Sequence, residues 1–210
     1  MNSNPAPICI LIADDHPATR AGIRTMLERH EHMRVVAEAG NGEEAVACFR
    51  EHQPDVVLMD LQMPKLDGLQ AIAAIHAERP GAPIVVLTSY PGDARVSRAL
   101  AAGAISYILK TADRTQVFAA IVGALQGETV LDDTVTSDMA ANVGHESLSW
   151  REISVLRLVA QGKRNRDIGR ALYVSEHAVK ARLKNTLAKL NASDRTHAVS
   201  IARARGFLDY

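Results

Sequence analysis

Residues 8–22, ICILIADDHPATRAG, contain the first change from an apolar to a charged segment. The β-branched run Ile8–Ala13 ends at two adjacent carboxylates, Asp14 and Asp15, and a proline then prevents a strand from continuing. Helix-compatible residues follow, so the stretch predicts a buried strand that leads into a helix. Two neighbouring carboxylates repel each other unless a positive charge lies beside them. We therefore expect other parts of the chain to bring a cation to this point.

The same alternation of strand and helix continues through the first 126 residues. Five short apolar runs predict strands, and they are Ile8–Ala13, Arg34–Ala39, Asp55–Met59, Pro83–Thr88 and Ser106–Leu109. Each is followed by helical spacing, at Ala18–His30, Glu43–His52, Leu69–Glu78, Ala94–Ala102 and Arg114–Leu125. Alternating strands and helices predict an α/β, doubly wound, flavodoxin-like fold with a five-stranded parallel sheet covered on both faces.

Polar residues end or directly follow four of the predicted strands. Ligands in such folds bind at the carboxyl ends of the strands, so these residues should meet at one edge of the sheet. They are Asp14, Asp15, Asp60, Thr88 and Lys110. Clustered carboxylates favour a hard cation such as Mg²⁺, and a carboxylate can also act as a nucleophile that forms an acyl phosphate. Asp60 suits the second role because it stands alone at the end of the central strand. A single aspartate after a strand is more often a helix cap, and Asp67 has that interpretation, as the N-cap of a helix beginning near Gly68.

Charge divides the 210 residues into three parts although the formal net charge is zero. Residues 1–126 carry 11 basic and 14 acidic residues, residues 127–147 carry no basic and five acidic residues, and residues 148–210 carry 13 basic and five acidic residues. We predict a first domain over residues 7–126, an acidic linker over 127–147 and a basic domain over 148–210. A compact basic domain indicates a nucleic-acid partner.

The basic domain has a wholly helical pattern. Four helices are predicted, at Trp150–Gln161, Asn165–Leu172, Glu176–Leu190 and Arg195–Arg205. Ser149 and Glu152 have the spacing of a capping box. In the third helix, an apolar stripe contains Val179, Leu183, Leu187 and Leu190, and the opposite face contains His177, Ala181, Lys184, Asn185 and Ala188. Small side chains between basic edges, formed by Lys180 and Lys184 on one side and Arg182 and Lys189 on the other, favour a helix lying in the major groove of DNA. With the short helix before it, the pattern predicts a helix-turn-helix.

Four segments of the first domain resemble the receiver domain of bacterial two-component response regulators. They are DDHP at 14–17, MDLQMPKLDG at 59–68, LTS at 87–89 and SYILK at 106–110. The resemblance implies that a sensor histidine kinase phosphorylates Asp60, and that Mg²⁺ is held by Asp15, Asp60 and the backbone carbonyl of Gln62, with Asp14 acting through water. It further implies that Thr88 and Tyr107 move on phosphorylation and that Lys110 stabilises the phosphoryl group.

Residues 148–205 resemble the LuxR-type helix-turn-helix domain, which is also called the NarL/FixJ type. The resemblance implies a transcriptional regulator that binds double-stranded DNA as a homodimer. Lys180, Ala181 and Lys184 would face bases, and Lys163 and Arg166 would approach phosphates. His177 and Arg182 complete the expected DNA-binding set, where Arg182 could replace a phosphate contact that Ala178 lacks. The last helix would form the dimer contact through Ala198, Val199, Ile201 and Ala202.

Other functional classes fit the sequence less well. Phosphatases of the haloacid dehalogenase class need an aspartate two residues after the nucleophile, and Gln62 stands there, so we do not expect an enzyme. A pure interaction module would not require the complete set of acidic residues with Lys110. RNA binding by the basic domain is disfavoured because Tyr173 provides no stacking platform by itself. No apolar run reaches the about 20 residues of a membrane span, and we expect a cytoplasmic protein.

Overall fold

The structure is a computed structural model that describes residues 6–89, 92–141 and 148–208. The described residues form two compact units. The first contains residues 6–89 and 96–136, and the second contains residues 92–95, 137–141 and 148–208. In this part of the chain, no helix is both long enough and apolar enough to cross a membrane.

The first unit is built on a five-stranded parallel sheet with strand order β2-β1-β3-β4-β5. Its strands are β1 Ile8–Ala13, β2 Met33–Ala39, β3 Val56–Met59, β4 Ile84–Thr88 and β5 Ser106–Leu109. The helices are α1 Pro17–Glu28, α2 Gly42–His52, α3 Gly68–Glu78, α4 Asp93–Ala102 and α5 Arg114–Gln126. The predicted doubly wound parallel fold is confirmed.

Burial explains why these segments form strands in a covered sheet. All four residues of β3 are fully buried, as expected for the central strand of a parallel sheet. Leu27 of α1 and Ile121 of α5 join a cluster with Ile10, Leu58 and Val85 from the sheet. The buried cluster holds the strands in position, and because all the strands are parallel, their carboxyl ends meet at one edge of the sheet.

Polar caps fix the helices that surround this edge. Asn41 caps α2, because its side chain accepts a hydrogen bond from the backbone of Glu44. Asp67 caps α3 in a capping box with Gln70, which confirms the prediction for Asp67. Asp113 and Gln116 form the same arrangement at the start of α5.

The segment predicted as an irregular linker contains ordered structure. Leu131 forms a parallel bridge with Tyr107 of β5, and the backbone of Tyr107 also bonds to Val130 and Asp132. The helix α6, Asp133–Ala141, follows directly, and the Asp132 side chain accepts a hydrogen bond from the backbone of Thr134 at its first turn. The sequence pattern misses this helix because only Val135 is fully buried among its described side chains, so no apolar stripe is visible.

The second unit contains the four predicted helices. They are α7 Trp150–Ala160, α8 Asn165–Ala171, α9 Glu176–Lys189 and α10 Arg195–Ala204. The predicted capping box of Ser149 and Glu152 is present at the start of α7. After α7, Gly162 has a φ of 75°, a left-handed conformation that glycine adopts without strain. Val155, Ile168, Val179 and Leu183 form one apolar cluster across α7, α8 and α9, so α9 is held by the stripe predicted for it.

Candidate functional site

The carboxyl ends of β1, β3 and β5 bring two carboxylates and one ammonium group together. Asp14 and Asp60 follow β1 and β3 and are 1% and 3% exposed. Lys110 follows β5, and its Nζ lies 2.6 Å from Oδ2 of Asp14 and 2.7 Å from Oδ2 of Asp60. Lys110 thus bridges the two buried carboxylates, Asp14 and Asp60.

The backbone around Asp60 is fixed from several sides. Its N–H donates to the carbonyl of Ala13 at 2.8 Å, which joins the ends of β1 and β3. One oxygen, Oδ1, accepts a hydrogen bond of 3.3 Å from the backbone N–H of Gln62. On the other side, a Cβ atom at Gly68 would lie 2.0 Å from the Asp60 carbonyl oxygen, so only glycine allows α3 to begin this close. The carboxylate therefore has a defined position in the pocket.

Burial and charge act in opposite directions on the pocket's ionisation. Burial raises the pKa of Asp60, and the charge of Asp14 adds to that effect. The hydrogen bond and charge of Lys110 lower the pKa of Asp60, and so does the Gln62 N–H, but the net direction is upward. For Lys110, burial lowers the pKa, and the hydrogen bonds and charges of Asp14 and Asp60 outweigh it, so the pKa is raised. Lys110 consequently stays protonated between the two acids.

Asp15 and His16 extend the cluster toward solvent. His16 Nδ1 lies 2.5 Å from Oδ1 of Asp15, and the backbone N–H of His16 donates to Asp14 at 2.8 Å. One possible ligand atom from each of Asp14, Asp15, His16 and Asp60 lies within 4.8 Å of the others. The three carboxylates supply the oxygen donors that a hard divalent cation prefers, so the residues present fit Mg²⁺. The His16 side chain lies at the rim of the cluster and is 71% exposed.

Arg20 holds the backbone of this pocket, and sequence reasoning did not identify it. Its Nη1 donates to the carbonyl oxygen of Asp14 at 2.5 Å, and its Nε donates to Glu38 at 3.3 Å. Glu38 belongs to β2, so the contact depends on β2 lying beside β1. A pattern within one segment gives no signal for it.

The two residues predicted to move on phosphorylation lie at the same sheet edge or close to it. Thr88 ends β4 and is 1% exposed. Its backbone carbonyl accepts a hydrogen bond of 2.7 Å from the backbone N–H of Lys110. Tyr107 lies in β5 and is fully buried. Gln62 contributes its N–H to the pocket while its side chain is exposed.

Most of the predicted DNA-binding residues lie on exposed surface of the second unit. Exposed positions include Lys163 and Arg166, and on α9 they are His177, Lys180, Ala181 and Lys184. Lys180 Nζ also lies 2.9 Å from Glu176 Oε1 in an exposed pair. Arg182 is half-buried at the flank of the helix. Lys189, which was expected to form part of a basic edge, pairs instead with the buried Glu152 at 3.1 Å.

Two of the four residues predicted for a dimer contact are unsuitable for it. Ala198 and Ala202 are fully buried in a cluster with Leu156 and Leu190 of the same unit, so their side chains have no surface to offer a second copy. The small size of alanine lets α10 pack closely on α7, which explains their position. Val199 and Ile201 are half-buried. The exposed residues of α10 are Thr196, His197, Ser200 and Ala204.

Two protein families match separate parts of the chain. Residues 10–122 match the response regulator receiver domain. Residues 146–202 match the bacterial regulatory proteins of the luxR family.

Relatives match along almost the whole chain. The transcriptional regulatory protein LiaR of Bacillus subtilis (strain 168) is 38% identical over 203 residues, which cover 93% of this chain and 96% of LiaR. The response regulator protein VraR of Staphylococcus aureus (strain NCTC 8325 / PS 47) is 37% identical over 200 residues, with the same shares covered. A solved complex of the two-component response regulator RcsB with DNA has a TM-score of 0.71 at 26% identity, covering 94% of this chain and 98% of RcsB. With a receiver domain followed by a luxR-family domain, the chain belongs to the LuxR-type response regulators, a family of transcriptional regulators.

Proposed function

We propose that this protein receives a phosphoryl group on Asp60 from a sensor histidine kinase and binds double-stranded DNA through its second unit. The observation that carries the first part is the position of Lys110 between the buried carboxylates of Asp14 and Asp60. A buried carboxylate that is fixed in place and faces a permanent cation is suited to accept a group of high negative charge.

The chemistry assigns a step to each group of the pocket. A carboxylate oxygen of Asp60 attacks phosphorus, the bond from phosphorus to the imidazole nitrogen of the kinase breaks, and that nitrogen retains the bonding electrons. The product is an acyl phosphate on a side chain. Lys110 attracts the phosphoryl oxygens as a point charge, and Thr88 lies at the neighbouring strand end, where its hydroxyl can donate to one of them. Thr88 and Tyr107 then carry the switch from the pocket to the rest of the first unit.

Mg²⁺ is the cofactor that the donor set supports. Asp14, Asp15 and Asp60 would hold it, together with the backbone carbonyl of Gln62. When bound, the cation neutralises charge between the carboxylates and the incoming phosphoryl oxygens. Arg20 holds the Asp14 backbone and so keeps the donors in place.

The exposed face of α9 supports DNA binding. Val179 and Leu183 anchor the helix, which leaves Lys180, Ala181 and Lys184 outward. A small side chain between two lysines lets the helix enter the major groove while the ammonium groups approach bases and phosphates. His177 and Arg182 border this face, and Lys163 and Arg166 lie before and within α8, where exposed cations suit phosphate contacts.

The protein acts as a homodimer on DNA in this proposal, through the exposed part of α10 with Val199 and Ile201. In this proposal the protein accepts a phosphoryl group and does not act as an enzyme on a separate substrate. Gln62 supports this, because it stands where phosphatases of the haloacid dehalogenase class have an aspartate, and an amide cannot serve as a general acid. The protein's action on DNA would place it in the cytoplasm.

Intact-mass measurement after incubation with acetyl phosphate and Mg²⁺ tests the acceptor. The native chain should gain one phosphoryl adduct, and Asp60→Asn should gain none. Asp67→Asn is the matched control, because Asp67 follows the same strand but caps α3, and asparagine retains that cap. An adduct of equal yield in Asp60→Asn would contradict the proposal.

A further inference from the structure

The second unit has a groove that combines exposed aromatic and basic side chains. The groove has a volume of about 430 Å³ and is lined by Trp150, Arg151, Ser154, Leu172, Val174 and Arg182. Trp150 is 70% exposed, and Tyr173, between the lining residues Leu172 and Val174, is 96% exposed. Large apolar side chains with this much exposed surface indicate a binding surface when they border a groove.

The charge of the groove is positive. Arg151 and Arg182 both line it, and the Arg151 guanidinium lies 5.1 Å from the centre of the Trp150 ring. Among the residues that the structure describes, neither guanidinium has an ion-pair partner. The nearest acid in sequence, Glu152, is buried and bonded to Ser149 and Lys189. The groove therefore suits a partner with negative charge.

The groove adjoins the face of α9 that is proposed to enter the major groove. Arg182 follows Ala181, so its side chain leaves the helix about 100° around the axis from the centre of that face. A helix in the major groove has a phosphate backbone along each of its flanks. On this flank Lys189 is engaged by Glu152, which leaves Arg182 and, across the groove, Arg151 to meet the backbone.

We propose that this groove binds the sugar-phosphate backbone of DNA beside the recognition helix α9. Arg151 and Arg182 pair with phosphates, and the exposed ring of Trp150 packs against the sugar and orients Arg151. The inference rests on the proposed DNA binding. Continuity with the base-facing surface favours DNA over an acidic protein segment as the occupant.

Trp150 is the only tryptophan of the chain, so its fluorescence reports the groove directly. The full chain, treated with acetyl phosphate and Mg²⁺, is mixed at low salt with a mixed-sequence DNA duplex carrying a fluorescent label. Label anisotropy reports binding, and acrylamide quenching reports access to Trp150. Bound duplex should reduce the quenching.

The salt dependence of binding tests the charges. The slope of log affinity against log salt is negative, and Arg151→Gln and Arg182→Gln should each reduce its magnitude by about 0.9, the value for one phosphate contact. Arg34→Gln removes the same charge from an exposed position of the first unit and should leave the slope unchanged. The groove inference is wrong if the duplex binds but acrylamide quenches Trp150 equally in the bound and the free protein, and if both variants have the salt slope of the native chain. DNA binding would then stand, and the groove would be left for a protein partner. If anisotropy detects no complex, the proposed DNA binding itself is wrong, and the inference falls with it.

Discussion

The ionisation of Asp60 is linked to the stability of the first unit. Burial and the neighbouring Asp14 raise the pKa of this carboxyl above its ordinary value of 3.8, although Lys110 acts in the other direction. A raised pKa means that the folded chain holds the proton more tightly than the unfolded chain does. Stability therefore falls as the pH rises from the ordinary value through the raised one. Keeping this acceptor ionised at neutral pH costs folding free energy.

Replacing Asp60 by asparagine should consequently stabilise the protein. In the presence of a chelator at neutral pH, Asp60→Asn should raise the free energy of unfolding of the first unit by about 1 kcal/mol. The gain should shrink as the pH falls toward 3.8, where the native carboxyl also becomes neutral. Urea unfolding followed by circular dichroism measures it, with Asp67→Asn as a control that should change little. A variant that is less stable than the native chain at neutral pH would show that the bond to Lys110 outweighs burial.

At the level of helices and strands, apolar periodicity and caps determine how well the sequence predicts the structure. The capping boxes at α3 and α7 combine a cap with an apolar stripe, and both helices begin where predicted, within a residue. In α6 a cap at Asp132 is present without a stripe, and the helix is missed. On α10, the dimer contact that the family resemblance implies includes Ala198 and Ala202, whereas the structure buries both against Leu156 and Leu190.

Glu152 joins two helices of the second unit. It accepts hydrogen bonds from Ser149 at the start of α7 and lies 3.1 Å from Lys189 at the end of α9. Burial raises the pKa of Glu152, but the bonds from Ser149 and Lys189 outweigh burial and bring the pKa below the ordinary value of 4.5. A lowered pKa contributes stability above the ordinary value, and this contribution is lost as the pH falls through the folded-state pKa.

Glu152→Gln should retain the capping box, which accepts glutamine, but lose the charge that Lys189 meets. We expect the second unit to lose about 1 kcal/mol of unfolding free energy at neutral pH and progressively less below pH 4.5. Denaturant unfolding followed by Trp150 fluorescence measures the effect in this unit. The same substitution at Glu176, whose pair with Lys180 is exposed, should cost only about 0.3 kcal/mol. Equal losses at the two positions would contradict a special role for Glu152.

At the scale of the whole chain, the acidic pocket could be predicted from the sequence because of the sheet topology, whereas the groove beside α9 could not. Residues after the strands of one parallel sheet must meet at one edge, so Asp14, Asp60 and Lys110 could be grouped without coordinates. The groove beside α9 depends on which sides of α7 and α9 come together. Its main signal in the sequence, Trp150 at the first position of α7, becomes informative only once its exposure is known.

Phosphorylation should change the affinity of the whole protein for DNA. Coupling between two sites typically changes affinity about 5- to 150-fold, and we expect tighter binding after treatment with acetyl phosphate and Mg²⁺. Anisotropy titrations of a labelled duplex at matched salt measure the change. Asp60→Asn should bind like the untreated native chain in both conditions, and Asp67→Asn should respond like the native chain. Equal affinities of the treated and untreated native protein would show that the pocket does not control DNA binding.

Because Gly68 contacts the Asp60 carbonyl, position 68 tolerates substitution much less than the adjacent position 67. Asp67 needs only a side chain that accepts a hydrogen bond from the first turn of α3, so serine, threonine or asparagine can replace it. At position 68 even a methyl group would meet the carbonyl at 2.0 Å and push apart the loop after β3 and the start of α3. Asp60 is thus positioned by backbone atoms of α3 that pack on its own backbone. In a library of functional variants, position 67 should accept several residues and position 68 should remain glycine.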